Sequence, residues 1–372
     1  MFTRFKLKDY DFRLIIPVIL LSVIGVMVIG SAQESLKSKQ LYGVIAGIAL
    51  MLIISFVNYS FVLKFQWLIY GLNLLLLAMV FFGGESSHGA QRWLVIGGIQ
   101  FQPSETAKIL LILFFAQFIM KYKDKINTIP VLLMYGVFAV IPWALIALQP
   151  DLSTSIVIVV VLCLMLFAGG ISYKIVFAAF AVAVPAVIVV VSLALNPDSD
   201  ILRSYQKERI LAFINPEEYA LDEAYQQLNS VTAIASGQLD GKGYKNNEIT
   251  SVKNGRYYSE AQTDFIFAVI GEEFGFKGSL IVIVLLFWIA LECIMVAIKA
   301  KDVAGCVIAT GVGGLIAFQG FFNIGVATFI LPNTGLPLPF VSYGLTSLLS
   351  LYMCIGFVLN VRLQPKKTTK FS

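Results

Sequence analysis

The sequence predicts an all-α membrane protein: a polytopic bundle of about ten transmembrane helices with one large extracytoplasmic loop that carries amphipathic helices. Three observations point there. Hydrophobic residues make up 58% of the 372 residues and charged residues only 13%, with a mean hydropathy of +0.85. Apolar runs close to the ~20 residues needed to cross a hydrocarbon core recur along the chain. Their length and lack of alternation favour helices over the short alternating strands of an outer-membrane barrel. Residues 1–372 read as one integral membrane domain, with 196–275 a large loop inside it.

The runs fall at about 12–31, 41–58, 66–83, 104–120 and 129–147, then at 152–170, 174–195, 277–299, 304–327 and 340–361. Short cytoplasmic loops carry the Lys and Arg excess, and this orients the chain. Arg4, Lys6, Lys8 and Arg13 precede the first span, Lys121, Lys123 and Lys125 follow the fourth, and Lys299 and Lys301 follow the eighth. Arg362, Lys366, Lys367 and Lys370 close the chain, so both termini are expected in the cytoplasm and 196–275 outside. The first run is long enough to span and lacks a small-residue cleavage site, which reads as an uncleaved signal anchor. The net charge of +5 follows from this asymmetry and calls for no nucleic acid.

Composition also excludes chemistry. Cys163, Cys293, Cys306 and Cys354 lie inside apolar spans at unrelated spacings, which argues against a disulfide framework or a thiolate metal site. His88, the one histidine, sits in the small polar loop Gly83 to Gly89 and reads as solvated. No ligand cluster calls for a metal, and no cofactor is evident, although a divalent cation could assist a diphosphate.

Three polar constellations remain, all at the outward membrane boundary. The first is Gly89-Ala90-Gln91-Arg92-Trp93 followed by Gln102-Pro103-Ser104-Glu105-Thr106-Ala107-Lys108, where Pro103 and Ser104 suit the first turn of a helix. Glu105 and Lys108 share a helical face at this spacing and should pair, either as a structural ion pair or as the lining of a polar cavity for a charged ligand. The second is the outer loop. Its pieces 201–213 and 221–236 have amphipathic helical spacing and could form a lid. Within it Tyr205-Gln206-Lys207-Glu208-Arg209 and Gly241-Lys242-Gly243 offer cations and flexible backbone suited to a diphosphate, or plain turns with solvated charges.

The third runs from Ser259 and Glu260 through Gln262, Thr263 and Asp264 into an apolar span, with Glu272 and Glu273 two turns on. Asp264 is the leading candidate for a general base, which burial would favour. Alternatively it caps the helix that follows, with the N-terminal dipole stabilising its anion.

These runs resemble the SEDS family of bacterial membrane proteins, which includes RodA, FtsW and SpoVE. The resemblance covers nearly the whole chain. It rests on Gly89 to Trp93, Gln102 to Glu105 with Lys108, Gln149-Pro150-Asp151-Leu152, Tyr205-Gln206 with Arg209, and Gly241-Lys242-Gly243. The two longest matches are Thr263 to Glu273, and Leu336 to Gly344 preceded by Asn323 and Pro332. Departures are Gln262 where many relatives carry His, Ser153 and Phe329 where Gly is usual, and Leu345-Thr346 in place of Gly-Ser. Length and the short N-terminus look closer to the RodA members.

The resemblance implies a peptidoglycan glycosyltransferase that polymerises lipid II at the outer face of the cytoplasmic membrane, beside a class B penicillin-binding protein, in elongation or division. It implies Asp264 as the catalytic acid and undecaprenyl diphosphate as the leaving group, with inversion at the anomeric carbon. Arg92, Glu105, Lys108, Arg209, Lys242, Glu260, Gln262, Thr263, Ser342 and Tyr343 are the candidate substrate-binding residues. Two other readings fit many helices with buried charge: a flippase for lipid-linked precursors, and a noncatalytic scaffold for the penicillin-binding protein. The asymmetric loop ending in an acid, with no convincing repeated halves, favours the enzyme.

Overall fold

The computed structural model describes all residues except 1–9, 88–89, 97–98, 150, 196–203, 221–223, 246–260 and 365–372. Long apolar runs fold here as helices because hydrocarbon offers no partner for a free N–H or C=O. In chain order they are α1 (Phe12–Ala32), α2 (Glu34–Phe56), the short α3 (Tyr59–Val62), α4 (Gln66–Gly83), α5 (Pro103–Tyr122) and α6 (Ile129–Leu148). The second half adds α7 (Leu152–Ala168), α8 (Tyr173–Leu195), α9 (Ser204–Ile214), α10 (Tyr225–Gly237), α11 (Ile266–Lys299), α12 (Val303–Ala327) and α13 (Leu345–Arg362). Eight described helices, counting 59–83 as one, are long and apolar enough to cross a membrane. The shorter α7 and the 23-residue α8 bring the bundle to about ten, as the hydropathy predicts.

Helices α12 and α5 lie at the centre. The first packs against α11, α7 and α5, while α13 lies along α2 and α1 along α11. The lightly buried α4 and α6 are peripheral. Pro103 takes the first helical turn of α5, as its missing N–H allows. Helices α9 and α10 of the large loop correspond to the two amphipathic stretches, although 201–203 and 221–223 lie outside the described residues.

Besides α2, which starts at Glu34 rather than near 41, three boundaries differ from the hydropathy reading. Residues 85–101 hold a small antiparallel sheet, β1 (Glu85–Ser87), β2 (Ala90–Ile96) and β3 (Ile99–Phe101), where only a flexible loop and a motif were expected. Leu94 pairs with Phe101 and Ile96 with Ile99, so β-formers on short strands win once a neighbour closes the ladder. The last span starts at Leu345 rather than near 340, because Pro337 and Pro339 keep the preceding segment extended.

The third difference is at α11, which begins eleven residues early and carries a break at Gly275 (φ +63°). A helix cannot pass through that conformation, so the carbonyls and amides around it need outside partners. The strap 238–243 supplies them. Phe276 N donates to Gln238 O (2.8 Å) and Lys277 N to Leu239 O (3.2 Å), while Lys242 N donates to Glu272 O (2.9 Å) and Gly243 N to Glu273 O (3.0 Å).

Candidate active site

Asp264 lies in the turn that leads into α11, half-buried, with Phe265 to Ile270 buried behind it. The N-cap position of α11 belongs to Phe265, whose side chain makes no cap hydrogen bond, so Asp264 stands one residue before it. Three successive carbonyls of the turn are held from elsewhere. Gln262 O accepts from Tyr343 N (2.8 Å), Thr263 O from Ser342 Oγ (2.6 Å) and Asp264 O from Asn323 Nδ2 (2.8 Å). Ser342 Oγ in turn accepts from Leu338 N at 2.7 Å. The carboxylate itself lies against Gly335, where a Cβ would come 3.1 Å from Asp264 Oδ2 and where φ is +73°, so both space and backbone call for glycine. Beside the turn, burial raises the Tyr343 phenol above its usual pKa of 10.0.

The segment facing Asp264, residues 331–339, has three prolines and few amides to offer, so its carbonyls look for donors elsewhere. They find side chains from four helices. Gln227 of α10 takes Leu331 O (2.9 Å), Arg209 of α9 takes Asn333 O (3.3 Å), and Ser153 of α7 donates to Thr334 O. Asn323 and Gln319 of α12 take Leu336 O (2.7 Å) and Pro337 O (3.0 Å). Two departures from the family pattern explain themselves here. Ser153 adds a donor that glycine lacks, and Phe329 holds the φ of +59° that suits glycine while its ring stacks on Phe213 of α9 (5.6 Å).

Glu105 and Lys108 pair at 2.8 Å, each side chain 3% exposed, and Lys108 also donates to Gln319 Oε1 at 3.0 Å. Nearby Ser104 donates to Asp151 Oδ2 (3.1 Å), and Asp151 Oδ1 accepts from Thr154 N at the start of α7. Arg92 reaches Gln149 O at 3.2 Å. Four buried polar atoms, Glu105 Oε2, Asn323 Oδ1, Thr334 Oγ1 and Ser347 Oγ, have no hydrogen-bond partner among the described residues.

Gly241-Lys242-Gly243 lies along α11 in the strap 238–243. Its Lys242 and Gly243 amides are hydrogen-bonded to α11, and Lys242 Nζ pairs with Glu272 at 3.0 Å. Glu273 accepts from Ser31 of α1, so the two glutamates after Asp264 anchor the strap and α1. Glu260 lies outside the described residues. Sequence reasoning missed Gln319, although a signal was present: it and Asn323, one turn apart, are the only carboxamides of α12. Among the described residues no three His, Cys, Asp or Glu side chains converge as a metal site.

Fold and site together define a polytopic helical membrane protein with a carboxylate mounted where a polar loop enters the bundle. A family model described as cell cycle protein, covering FtsW, RodA and SpoVE, matches residues 11–367, and the chain belongs to that family. Over 95% of this chain and 91% of its own length, the "Probable peptidoglycan glycosyltransferase FtsW" of Bacillus subtilis is 34% identical. The "Peptidoglycan glycosyltransferase MrdB" of Escherichia coli is 35% identical over 81% of this chain and 79% of its own length. Among solved structures, one described as "Structural coordination of polymerization and crosslinking by a peptidoglycan synthase complex" superposes with a TM-score of 0.78 at 26% identity, covering 95% of this chain and 97% of that one. Thermus thermophilus RodA superposes with a TM-score of 0.68 at 25% identity, covering 95% and 96%.

Proposed function

We propose that the protein is a peptidoglycan glycosyltransferase that polymerises lipid II at the outer face of the bacterial cytoplasmic membrane, with both termini inside. Asp264 accepts the proton of the acceptor's sugar 4-hydroxyl as that oxygen attacks the anomeric carbon of the growing lipid-linked strand. The new C–O bond forms as the bond to the diphosphate breaks, undecaprenyl diphosphate leaves with the electron pair, and the anomeric configuration inverts. The observation that carries this reading is the clamped turn. Holding carbonyls 262, 263 and 264 with three donors from residues 323, 342 and 343 lets one carboxylate act without reorganising.

Arg209, which donates to Asn333 O, and Arg92, which donates to Gln149 O, are the cations assigned to the leaving diphosphate. A divalent cation carried in with the diphosphate would add to that charge, and activity in a chelator measures its share. Gln262, Thr263, Ser342 and Tyr343 frame the acceptor side, and Glu105 holds Lys108 in place. A class B penicillin-binding protein is the proposed partner. Support comes from the glycosyltransferase names of the relatives and from the solved complex in which polymerisation and crosslinking are coordinated.

The test is glycan polymer on a gel from purified protein and labelled lipid II, with and without the penicillin-binding partner. Wild type is expected to polymerise, and Asp264→Asn and Asp264→Ala to lose nearly all polymer. Polymerisation by both variants would remove Asp264 from catalysis. Lipid movement across vesicles without polymer would favour a flippase, and activity of the partner alone a scaffold.

A further inference from the structure

Gln319 and Asn323 sit one helical turn apart on α12, so their side chains project from the same face. Each makes two contacts, and together these form a chain. Gln319 Oε1 accepts from Lys108, which is held by Glu105, and Gln319 Nε2 donates to Pro337 O. Asn323 Nδ2 donates to the adjoining carbonyl, Leu336 O, and also to Asp264 O. Gln319 is 0% and Asn323 1% exposed, so water does not compete for these bonds.

We infer that Gln319 and Asn323 are positioning residues that link the buried Glu105–Lys108 pair, through the consecutive Leu336 and Pro337 carbonyls, to the Asp264 turn. The link rests on the glycosyltransferase reading above for its consequence in catalysis, but not for its existence. Lys108 polarises the Gln319 amide by donating to its oxygen, which strengthens the Nε2–H bond to Pro337 O. Two consecutive carbonyls, Leu336 O and Pro337 O, are then held by the two carboxamides, and Gly335, next to them, packs on the Asp264 carboxylate. A loosened Gln319 therefore moves the surface against which the carboxylate rests. This assigns the Glu105–Lys108 pair a mechanical role in holding the site, distinct from contact with substrate charge.

The experiment compares wild type, Gln319→Met, Lys108→Met and the double variant in the lipid II polymerisation assay, with Asp264→Asn as the inactive reference. Displacement of a reacting group costs turnover more than binding, so each single variant should lower kcat about tenfold or more while KM for lipid II stays within about twofold. Because both act on one link, the double variant should be no slower than the slower single. Wild-type kcat in Gln319→Met, a loss carried by KM, or multiplying losses in the double variant would overturn the inference. Should Gln319→Met fold poorly in detergent, Gln319→Glu decides. It conserves shape and the acceptor for Lys108 but removes the donor to Pro337 O, and unchanged kcat there is also fatal.

Hydrogen exchange supplies a readout independent of activity. In Gln319→Met or Gln319→Glu, the amides of Leu338 and Tyr343, which bond Ser342 Oγ and Gln262 O, should exchange about tenfold faster, while the middle of α13 is unchanged. Equal exchange in wild type and variant would sink the link even if wild type made no glycan, an outcome that by itself would remove only the glycosyltransferase reading.

Discussion

Two polar networks close opposite ends of the same helices, and they are built differently. At the Asp302 end, Tyr59 Oη donates to Asp302 (2.8 Å), which also caps Gly305 N, and Asn360 accepts from Tyr59 N (2.9 Å) and Gln364 (2.7 Å) while donating to Ser55 O (2.8 Å). Lys301 joins Ser60 and Gln364 and lies 4.8 Å over the Tyr59 ring. No atom of that network is buried without a partner among the described residues. At the Asp264 end, by contrast, Glu105 Oε2, Asn323 Oδ1 and Thr334 Oγ1 are buried and unmatched. A fully satisfied network rigidifies, whereas unmatched buried atoms cost stability. The Asp302 end reads as a fastener, and the Asp264 end is where the proposed site lies.

That contrast can be broken by mutation. The largest effect is expected from Asp264→Asn, which should cut polymerisation by about 10²–10⁴-fold, the range of a general base, while leaving the thermal midpoint in detergent near wild type. A midpoint drop matching the loss of activity would make Asp264 structural instead. Next, Lys108→Met leaves the Glu105 carboxylate buried without its cation and should cost about 3–5 kcal/mol in a denaturation titration, with Glu105→Gln on the same background restoring part of it. Failure of that rescue would mean that the pair is not the source of the loss.

The Asp302 end should behave oppositely to Asp264. Asn360→Leu strips partners from Tyr59 N, Ser55 O and Gln364 and should destabilise by about 1–3 kcal/mol, with kcat per folded molecule unchanged. Altered kcat at full stability would erase the distinction between fastener and site.

The smallest effect belongs to the exposed Lys245–Glu34 pair at 3.0 Å. Its hydrogen bond to Glu34 raises the Lys245 pKa above 10.5, so any stabilisation is complete below the unfolded value and disappears as pH rises through the folded one. Lys245→Ala should differ from wild type in midpoint only marginally near neutral pH and not at all in strong alkali. A gap that widens with pH would reverse this account.

Much of this architecture was legible in the residues themselves. The spans, the amphipathic α9 and α10, and the Glu105–Lys108 pair are local: hydropathy and an i,i+3 spacing specify them within a few turns of chain. Asp264 stood out for the same reason, as an acid at the edge of an apolar run. Less legible were the β1–β3 sheet and the role of Gly241-Lys242-Gly243, since short strands and glycine turns take their meaning from what lies beside them. The capping role was a fair local alternative for Asp264, yet the turn places Phe265 at that position.

By itself, then, the sequence determined a helical membrane protein with its acid at a loop boundary, because burial in hydrocarbon allows a long apolar run little other than a helix. Only the tertiary structure decided what holds that acid. The donors to carbonyls 262 to 264 come from Asn323, Ser342 and Tyr343, between 59 and 81 residues away along the chain, and the break at Gly275 is mended by a strap more than thirty residues earlier. Hydrogen bonds of that separation leave no periodic trace, since they depend on where helices pack and not on the order of residues within any one of them.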